Sequence, residues 1–458
     1  MPRIESAVVT AVPDSTAAPA SASREWYAVC LFVLLLSLSF VDRQILSLLA
    51  PSVSKYLAIS DTQIGVLFGL GFAVVYALTG LPLAHLIDRR RRVPLVATGV
   101  TIWSLCTIAS GFAPNFTWLL VFRSGVAVGE AVLSPAAISI IADLFPRERR
   151  TLPTTVYSGS GTVMFTGAFI AGGAALQLAT AMASRFGLQP WQLTLVLVGL
   201  PGLLLAPLLL FSVAEPRRVG DVTSEQFATV AEALAYLRKE RMLYGCLFVG
   251  IAAISMINAA RAAWTPTLLI RGHHMQPAQA GYFYGTAGLV FGILGVVTWP
   301  AIVKAWTQRG RRDALATVFA VAMTVSWISF AVVGLTRSST VLIVAVCVGD
   351  FFQAAVAVLA PLLIQLVTPG RMRARAMALY LMATSLIGLA LGPPLAALVS
   401  ERFFTGPFAI GSGLAVLVLG MGPIASVAIW LIHKPYRSAL DSAEARETAA
   451  WQARVSNA

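Results

Sequence analysis

The 458-residue sequence is 58% hydrophobic and only 12% charged, whereas an ordinary soluble domain carries roughly a quarter charged residues. Water is thereby excluded as the main solvent, and with it a soluble catalytic domain of any size. The formal net charge of +13 would suggest nucleic acid in a soluble chain, but the placement of the basic residues gives it another meaning.

Residues 1–24 are rich in Ala, Ser and Pro and lack the basic-then-apolar pattern of a cleavable signal, so a disordered cytoplasmic tail is expected there. Crossing about 30 Å of hydrocarbon takes roughly 20 apolar residues. Twelve such spans are predicted, near 26–50, 63–85, 94–112, 118–141, 154–178, 191–213, 243–269, 280–303, 314–335, 340–366, 374–398 and 409–432. The polar interruption at 214–241 divides them six and six. An N-terminal bundle (25–213) and a C-terminal bundle (242–433) therefore flank a linker whose Ala/Leu/Glu/Arg content predicts an interfacial helix, and 434–458 form a second tail. The fold class is an all-α membrane protein.

Of the 33 Lys and Arg residues, 25 fall on the side of the termini, 5 on the opposite side and 3 inside spans. The positive-inside rule places both termini in the cytoplasm, so the basic balance reports topology, with a secondary attraction to anionic lipid headgroups. No nucleic-acid partner is expected. Cys30, Cys106, Cys246 and Cys347 all lie in apolar spans, where free cysteine acts as a small hydrophobe.

A repeat joins the halves. Phe145-Pro146-Arg147-Glu148-Arg149-Arg150 leads to Tyr157, and Thr368-Pro369-Gly370-Arg371-Met372-Arg373 leads to Tyr380, each displaced by 223 residues. Span 5 thus aligns with span 11, as parallel repeats that rock about a central site require. Both spans carry strings of small residues (Gly159, Gly161, Gly167, Gly172, Gly173; Gly388, Gly392, Pro393, Pro394), which serve static packing, a moving gate, or both.

Ionisable residues inside a span cost at least about 2.5–3.5 kcal/mol and must face protein or water. Six stand out: Asp42, Arg43, Arg123, Glu130, Arg261 and Asp350. Counting 1.5 Å per residue, Asp42 lies roughly 12 Å and Arg123 roughly 8 Å from the outer ends of spans 1 and 4, within reach of each other. Arg261 and Asp350 form a second-half counterpart with the signs exchanged. Such pairs act either as interhelical glue or as a charge relay lining a cavity. Glu130 sits mid-span, two turns after Arg123 on the same face, and its repeat counterpart is the neutral Gln353. A carboxyl group so placed holds a proton unless a cation keeps it ionised, which suits either proton coupling or a permanently protonated structural role.

Tyr157, Asn258, Trp264, Gln353 and Tyr380 are candidate cavity residues, although aromatic residues in spans also serve as packing or interface anchors. His273 and His274 lack partners at metal-ligand spacing, so no metal is expected. None of the four lysines (Lys55, Lys239, Lys304, Lys434) follows a glycine, which removes a phosphate-binding loop and argues against an ATP-driven pump or enzyme. No cofactor is expected; a proton gradient is the expected energy source.

Gly80-Leu81-Pro82-Leu83-Ala84-His85-Leu86-Ile87-Asp88-Arg89, followed by Arg90, Arg91 and Arg92, resembles the major-facilitator loop signature between helices 2 and 3. Arg123-Ser124-Gly125-Val126-Ala127-Val128-Gly129-Glu130-Ala131, continuing to Ser134-Pro135-Ala136, resembles the helix 4 signature of the Spinster-like branch. Phe40-Val41-Asp42-Arg43 is similar to that branch's helix 1 acid–base pair, and Trp264-Thr265-Pro266 to Arg271-Gly272-His273 also fits. The resemblance covers nearly the whole chain. It implies two six-helix bundles as parallel pseudo-repeats and a monomeric secondary transporter working by alternating access. Such transporters are often proton-linked, and eukaryotic relatives move sphingosine phosphate or lysophospholipids.

Carried over, Asp42 and Glu130 would be protonation sites, Arg43 and Arg123 coupling or headgroup residues, and Asp88 with Arg89 part of a cytoplasmic gate. An acid at the end of span 2 can accept hydrogen bonds from a helix N-terminus or an arginine across the bundle, whereas the run Arg89 to Arg92 is read as enforcing topology. Ala84 replaces the usual glycine. The second-half copy of the signature, near Thr298 to Asp313, lacks an aspartate at the helix end, where Trp299, Pro300 and Lys304 stand, so a cytoplasmic latch would depend on the first half. The substrate class expected is an amphiphilic anion of lysolipid or sphingoid type, with a small organic anion or drug-like compound as the alternative.

Overall fold

The computed structural model describes residues 22–146, 148–218 and 230–456. Among these, twelve helices are long and apolar enough to cross a membrane. They are α1 (Ala22–Leu57), α2 (Asp61–Phe68, continued by Leu70–Arg89), α3 (Arg92–Ser110), α4 (Phe116–Glu130, continued by Leu133–Leu144), α5 (Thr151–Met182) and α6 (Pro190–Ser212) in the first half. The second half holds α7 (Arg241–Arg271), α8 (Pro277–Gln308), α9 (Ala314–Leu335), α10 (Ser339–Val367), α11 (Gly370–Met382, Ala383–Leu389 and Ala390–Phe403) and α12 (Ala409–Leu431). Every predicted span has its helix. Most helices run past the expected ends, and polar side chains cap some of them. Ser60 and Gln63 form a capping box at the start of α2, and the Asn115 and Ser338 side chains accept N–H groups of Trp118 and Val341 at the starts of α4 and α10.

With an even number of crossings both chain ends fall on one side, called here the terminal face; the opposite side is the far face. Of the tail expected over 1–24, residues 1–21 lie outside the described residues, as do 219–229 of the linker. The linker carries a helix, Val230–Lys239, whose Tyr236 hydroxyl bonds the carbonyl of Val367 at 3.4 Å. The second tail is a helix too, His433–Ser456, in keeping with its content of Ala, Glu and Arg.

The 223-residue repeat appears as matching hydrogen bonds. Arg150 Nε reaches the carbonyl of Phe145 at 3.4 Å before α5, and Arg373 Nε reaches that of Thr368 at 3.0 Å at the start of α11. The two copies of the motif fold back on themselves in the same way.

The halves meet toward the far face. A Cβ added to Gly173 of α5 would lie 2.9 Å from the carbonyl of Ala278, and one on Gly69 of α2 would lie 2.4 Å from that of Ala390; only glycine permits backbones this close. Arg271 of α7 pairs with Asp61 of α2 at 2.6 Å, and the Thr62 backbone and hydroxyl both donate to Glu401 of α11. Toward the terminal face the contact ends: a Cβ on Gly80 or Gly159 would meet nothing within 4 Å, and Leu133–Leu144 and Gly370–Met382 pack within their own halves. The molecule is closed on the far face and open on the terminal face.

Candidate functional site

A cavity of about 270 Å³ lies between the halves, with Arg43, Gln44 and Arg123 on the first-half wall and Asn258, Gln353, Thr384 and Ser385 on the second. Phe40, Phe68, Phe72 and Phe165 stand among its apolar lining residues. The wall is thus amphiphilic.

All six intramembrane charges are paired. Arg123 Nη1 donates to Asp42 Oδ1 at 2.8 Å and Nη2 to the Asp42 carbonyl at 3.2 Å, while the Thr107 hydroxyl donates to Oδ2. Asp42 stands farther from the far end of its helix than the sequence suggested, because α1 runs on to Leu57, 15 residues away, roughly 22 Å, and the long Arg123 side chain spans to it. In the second half Arg261 Nη1 contacts Asp350 Oδ1 at 2.8 Å and the Tyr284 hydroxyl at 2.7 Å, with the Phe330 ring 4.4 Å from the guanidinium carbon. Both pairs are buried.

The third pair is one that sequence reasoning did not find. Arg43 Nε donates to Glu130 Oε2 at 2.6 Å. Glu130 is wholly enclosed, whereas the Arg43 side chain is 29% exposed, lines the cavity and stacks within 4.7 Å of the Phe72 ring and 5.3 Å of the Tyr76 ring. Among the described residues Glu130 Oε1 has no hydrogen-bond partner of normal geometry, and the Ser39 hydroxyl stands beside the carboxyl. The helix breaks immediately after it, at Ala131 and Val132, before α4 resumes at Leu133.

The remaining candidates divide. Asn258 and Gln353 line the cavity. Trp264 does not: its indole N–H bonds the carbonyl of Pro393 at 2.8 Å and its ring packs edge-on to Phe68 in the seam between halves. Tyr157 is buried in the first-half core with its hydroxyl 3.2 Å from Ser134, and Tyr380 is half-buried against the second-half core, away from the cavity wall. Thr384 and Ser385, unforeseen, enter the wall from Ala383–Leu389, which is wound as a π-helix, a form that recurs at functional sites.

Asp88 and Arg89 lie exposed at the terminal end of α2, and among the described residues neither forms an ion pair. Arg92 departs from the purely topological reading of its run. Its side chain is buried, bonding Asp143 at the end of α4, Ser139 at 2.9 Å, Glu215 after α6 at 2.9 Å and the carbonyl of Pro216 at 3.0 Å. Burial pushes the Glu215 carboxyl up, but the Val93 N–H and the Arg92 guanidinium outweigh it and hold the group below its ordinary value. In the second half, Asp313 before α9 takes the corresponding place and is bonded by Arg437 at 2.7 Å. Among the described residues no cluster of His, Cys, Asp and Glu has metal-binding spacing.

Residues 32–327 match the sequence profile of the Major Facilitator Superfamily. An "MFS-type efflux pump" of Mycolicibacterium smegmatis is 29% identical over 421 residues, covering 90% of this chain and 94% of that protein. "Protein spinster homolog 1" of Xenopus laevis is 30% identical over 394 residues, 81% of this chain and 72% of that one. Among solved structures, a bacterial homologue of the human lysosomal transporter Spinster, in an inward-facing and unoccupied conformation, superposes with a TM-score of 0.80 at 25% identity over 92% of this chain and 99% of that one. The chain therefore belongs to the Major Facilitator Superfamily, in its Spinster-like branch, and is a membrane transporter.

Proposed function

We propose that the chain is a proton-coupled transporter of a single-chain amphiphilic anion, a lysolipid or sphingoid phosphate, working by alternating access. The observation that carries this reading is the double duty of Arg43, which holds the buried Glu130 at 2.6 Å and at the same time lines the cavity. One cation serves both the carboxylate and the headgroup of a bound anion. When an anion draws Arg43 toward the cavity, Glu130 is left at mid-membrane without its counter-charge and takes a proton, for which Oε1 offers a place. Substrate and proton then load together, and because linkage is reciprocal each promotes binding of the other. The Phe-rich remainder of the wall suits an acyl or alkyl chain.

With 25 of the 33 basic residues on the terminal face, that face is cytoplasmic, and the open cavity is the inward-facing state of a multi-pass protein of the cell membrane. Asp88, exposed at the mouth, is then the acid that closes the cytoplasmic side when α2 approaches α11, with Arg89 beside it.

Glu130→Gln preserves the shape and the hydrogen bond to Arg43 but cannot exchange a proton. In proteoliposomes this variant should exchange substrate across the membrane while losing accumulation driven by a pH gradient. Gradient-driven uptake at the wild-type rate would remove Glu130 from the coupling role. A second reading, export of drug-like compounds, is favoured by the efflux pump among the relatives. It predicts transport of lipophilic cationic dyes, which Arg43 opposes, and no saturable flux of lysophosphatidate.

A further inference from the structure

Asn258 lies on α7, three residues before Arg261, and its Oδ1 accepts a hydrogen bond from Arg261 Nη2 at 3.0 Å. Arginine carries donors only, so this contact fixes which way the carboxamide faces: its oxygen is committed to Arg261 and its NH₂ group is left for the cavity that Asn258 lines. Arg261 is itself held by Asp350 and Tyr284. Gln353, three residues after Asp350 on α10, repeats the arrangement. As placed, its Oε1 accepts the hydroxyl of the buried Ser326 at 3.1 Å, and its NH₂ group takes no part in that bond at the cavity Gln353 lines.

Across the cavity stand Arg43 and Arg123, and none of the described residues lining it is acidic. Asp42, Glu130 and Asp350 are all turned behind their arginines. The polar part of the wall thus presents guanidinium and amide donors with neutral hydroxyls between them. An oxyanion finds partners on both halves; an ammonium group finds no counter-charge.

We infer that Asn258 and Gln353 are second-half headgroup donors that bridge an oxyanion, phosphate or carboxylate, to Arg43 of the first half, and that they set selectivity for anionic over cationic amphiphiles. The inference rests on the anionic-substrate reading and deepens it. Because the headgroup is shared between halves, its binding favours the approach of one bundle to the other. The buried Arg261–Asp350 pair acts here as the clamp that orients Asn258.

The test uses the purified full-length chain and three probes: a monoalkyl phosphate, the alkyl ammonium of equal chain length, and inorganic phosphate. Asn258→Asp and Gln353→Glu are isosteric and replace a donor with a charged acceptor. Wild type should bind the alkyl phosphate at least about tenfold more tightly than the ammonium, and each variant should lose about tenfold or more of phosphate affinity while the preference narrows or reverses. Unchanged preference in folded Asn258→Asp or Gln353→Glu overturns the inference. Should Asn258→Asp melt early through disturbance of Arg261, Gln353→Glu decides, since Gln353 does not touch that arginine. A wild type without preference for the phosphate would instead sink the anionic-substrate reading itself. Displacement of the alkyl phosphate by inorganic phosphate supports the donors and assigns them a free oxyanion, and absence of displacement supports them as lipid-headgroup ligands.

Discussion

Removing one member of a buried ion pair strands the other charge at a cost of about 3–5 kcal/mol, whereas replacing both by apolar groups is often neutral. Arg261 and Asp350, both buried and 2.8 Å apart, allow a purely structural contribution to be separated from one to transport. Arg261→Met alone should destabilise the protein by about that amount in thermal unfolding, and adding Asp350→Leu should recover most of the loss. If the pair is glue, the double variant also transports; if it relays charge or clamps Asn258, the double variant folds and fails to transport. The candidates themselves were legible because a charge inside a span is costly enough to be rare. Two of the three partnerships followed from depth and repeat. The third did not, because the apolar run ends near residue 50 while α1 continues through Pro51 to Leu57. Counted from the true ends, Arg43 and Glu130 each lie 14 residues from the far end of their helices, and the match in depth becomes plain.

Helix contacts in a membrane gain nothing from expelling lipid, so they depend on close fit. A Cβ on Gly129 of α4 would lie 2.5 Å from the carbonyl of Gly99 on α3 and 2.8 Å from the Trp103 amide. Glu130 is the next residue, so the glycine contact sets where the carboxylate stands. Gly129→Ala should therefore cost about 1–3 kcal/mol by overpacking and impair coupling by displacing Glu130. Gly80→Ala, whose Cβ meets nothing within 4 Å, should leave thermal stability unchanged or raise it by at most about 1 kcal/mol, since alanine is the better helix former. Equal melting temperatures in the two variants would refute the close-packing account. Gly99 and Gly129 fall in separate spans, and nothing in their local sequence pairs them. The π-wound segment of α11 was hidden for a related reason. Pro393 and Pro394 cannot donate to the carbonyls of Leu389 and Ala390, and these two carbonyls are where Gly69 of α2 packs, so the distortion reflects tertiary contact as much as local composition.

At the scale of the molecule, twelve crossings, two halves and the 223-residue displacement could all be read in the chain, because hydrocarbon thickness and backbone satisfaction leave few alternatives. The inequality of the halves is subtler than the loss of a gate acid from the second half. Arg92 before α3 binds Glu215 after α6, and Asp313 before α9 binds Arg437 after α12. Each half is stapled at the same place on the terminal face with the signs exchanged, as they are between Asp42–Arg123 and Arg261–Asp350. A motif alone does not reveal this, because the charges recur as pairs in space but are inverted in sequence. The staples carry a pH signature. Arg437 holds the Asp313 carboxyl below its ordinary 3.8, and Glu215, despite the opposing pull of burial, is held below 4.5 by the Val93 N–H and Arg92. A carboxylate whose folded value lies below its unfolded one contributes stability that is complete above the unfolded value and is lost as pH falls through the folded one. The melting temperature of Glu215→Gln should therefore sit below that of wild type at neutral pH, and the gap should close as the medium is acidified below 4.5; Asp313→Asn should behave alike with closure below 3.8. The difference between variant and wild type isolates the staple from other titrating acids, and a gap that stayed constant down to strong acid would show that these carboxylates contribute shape and not charge.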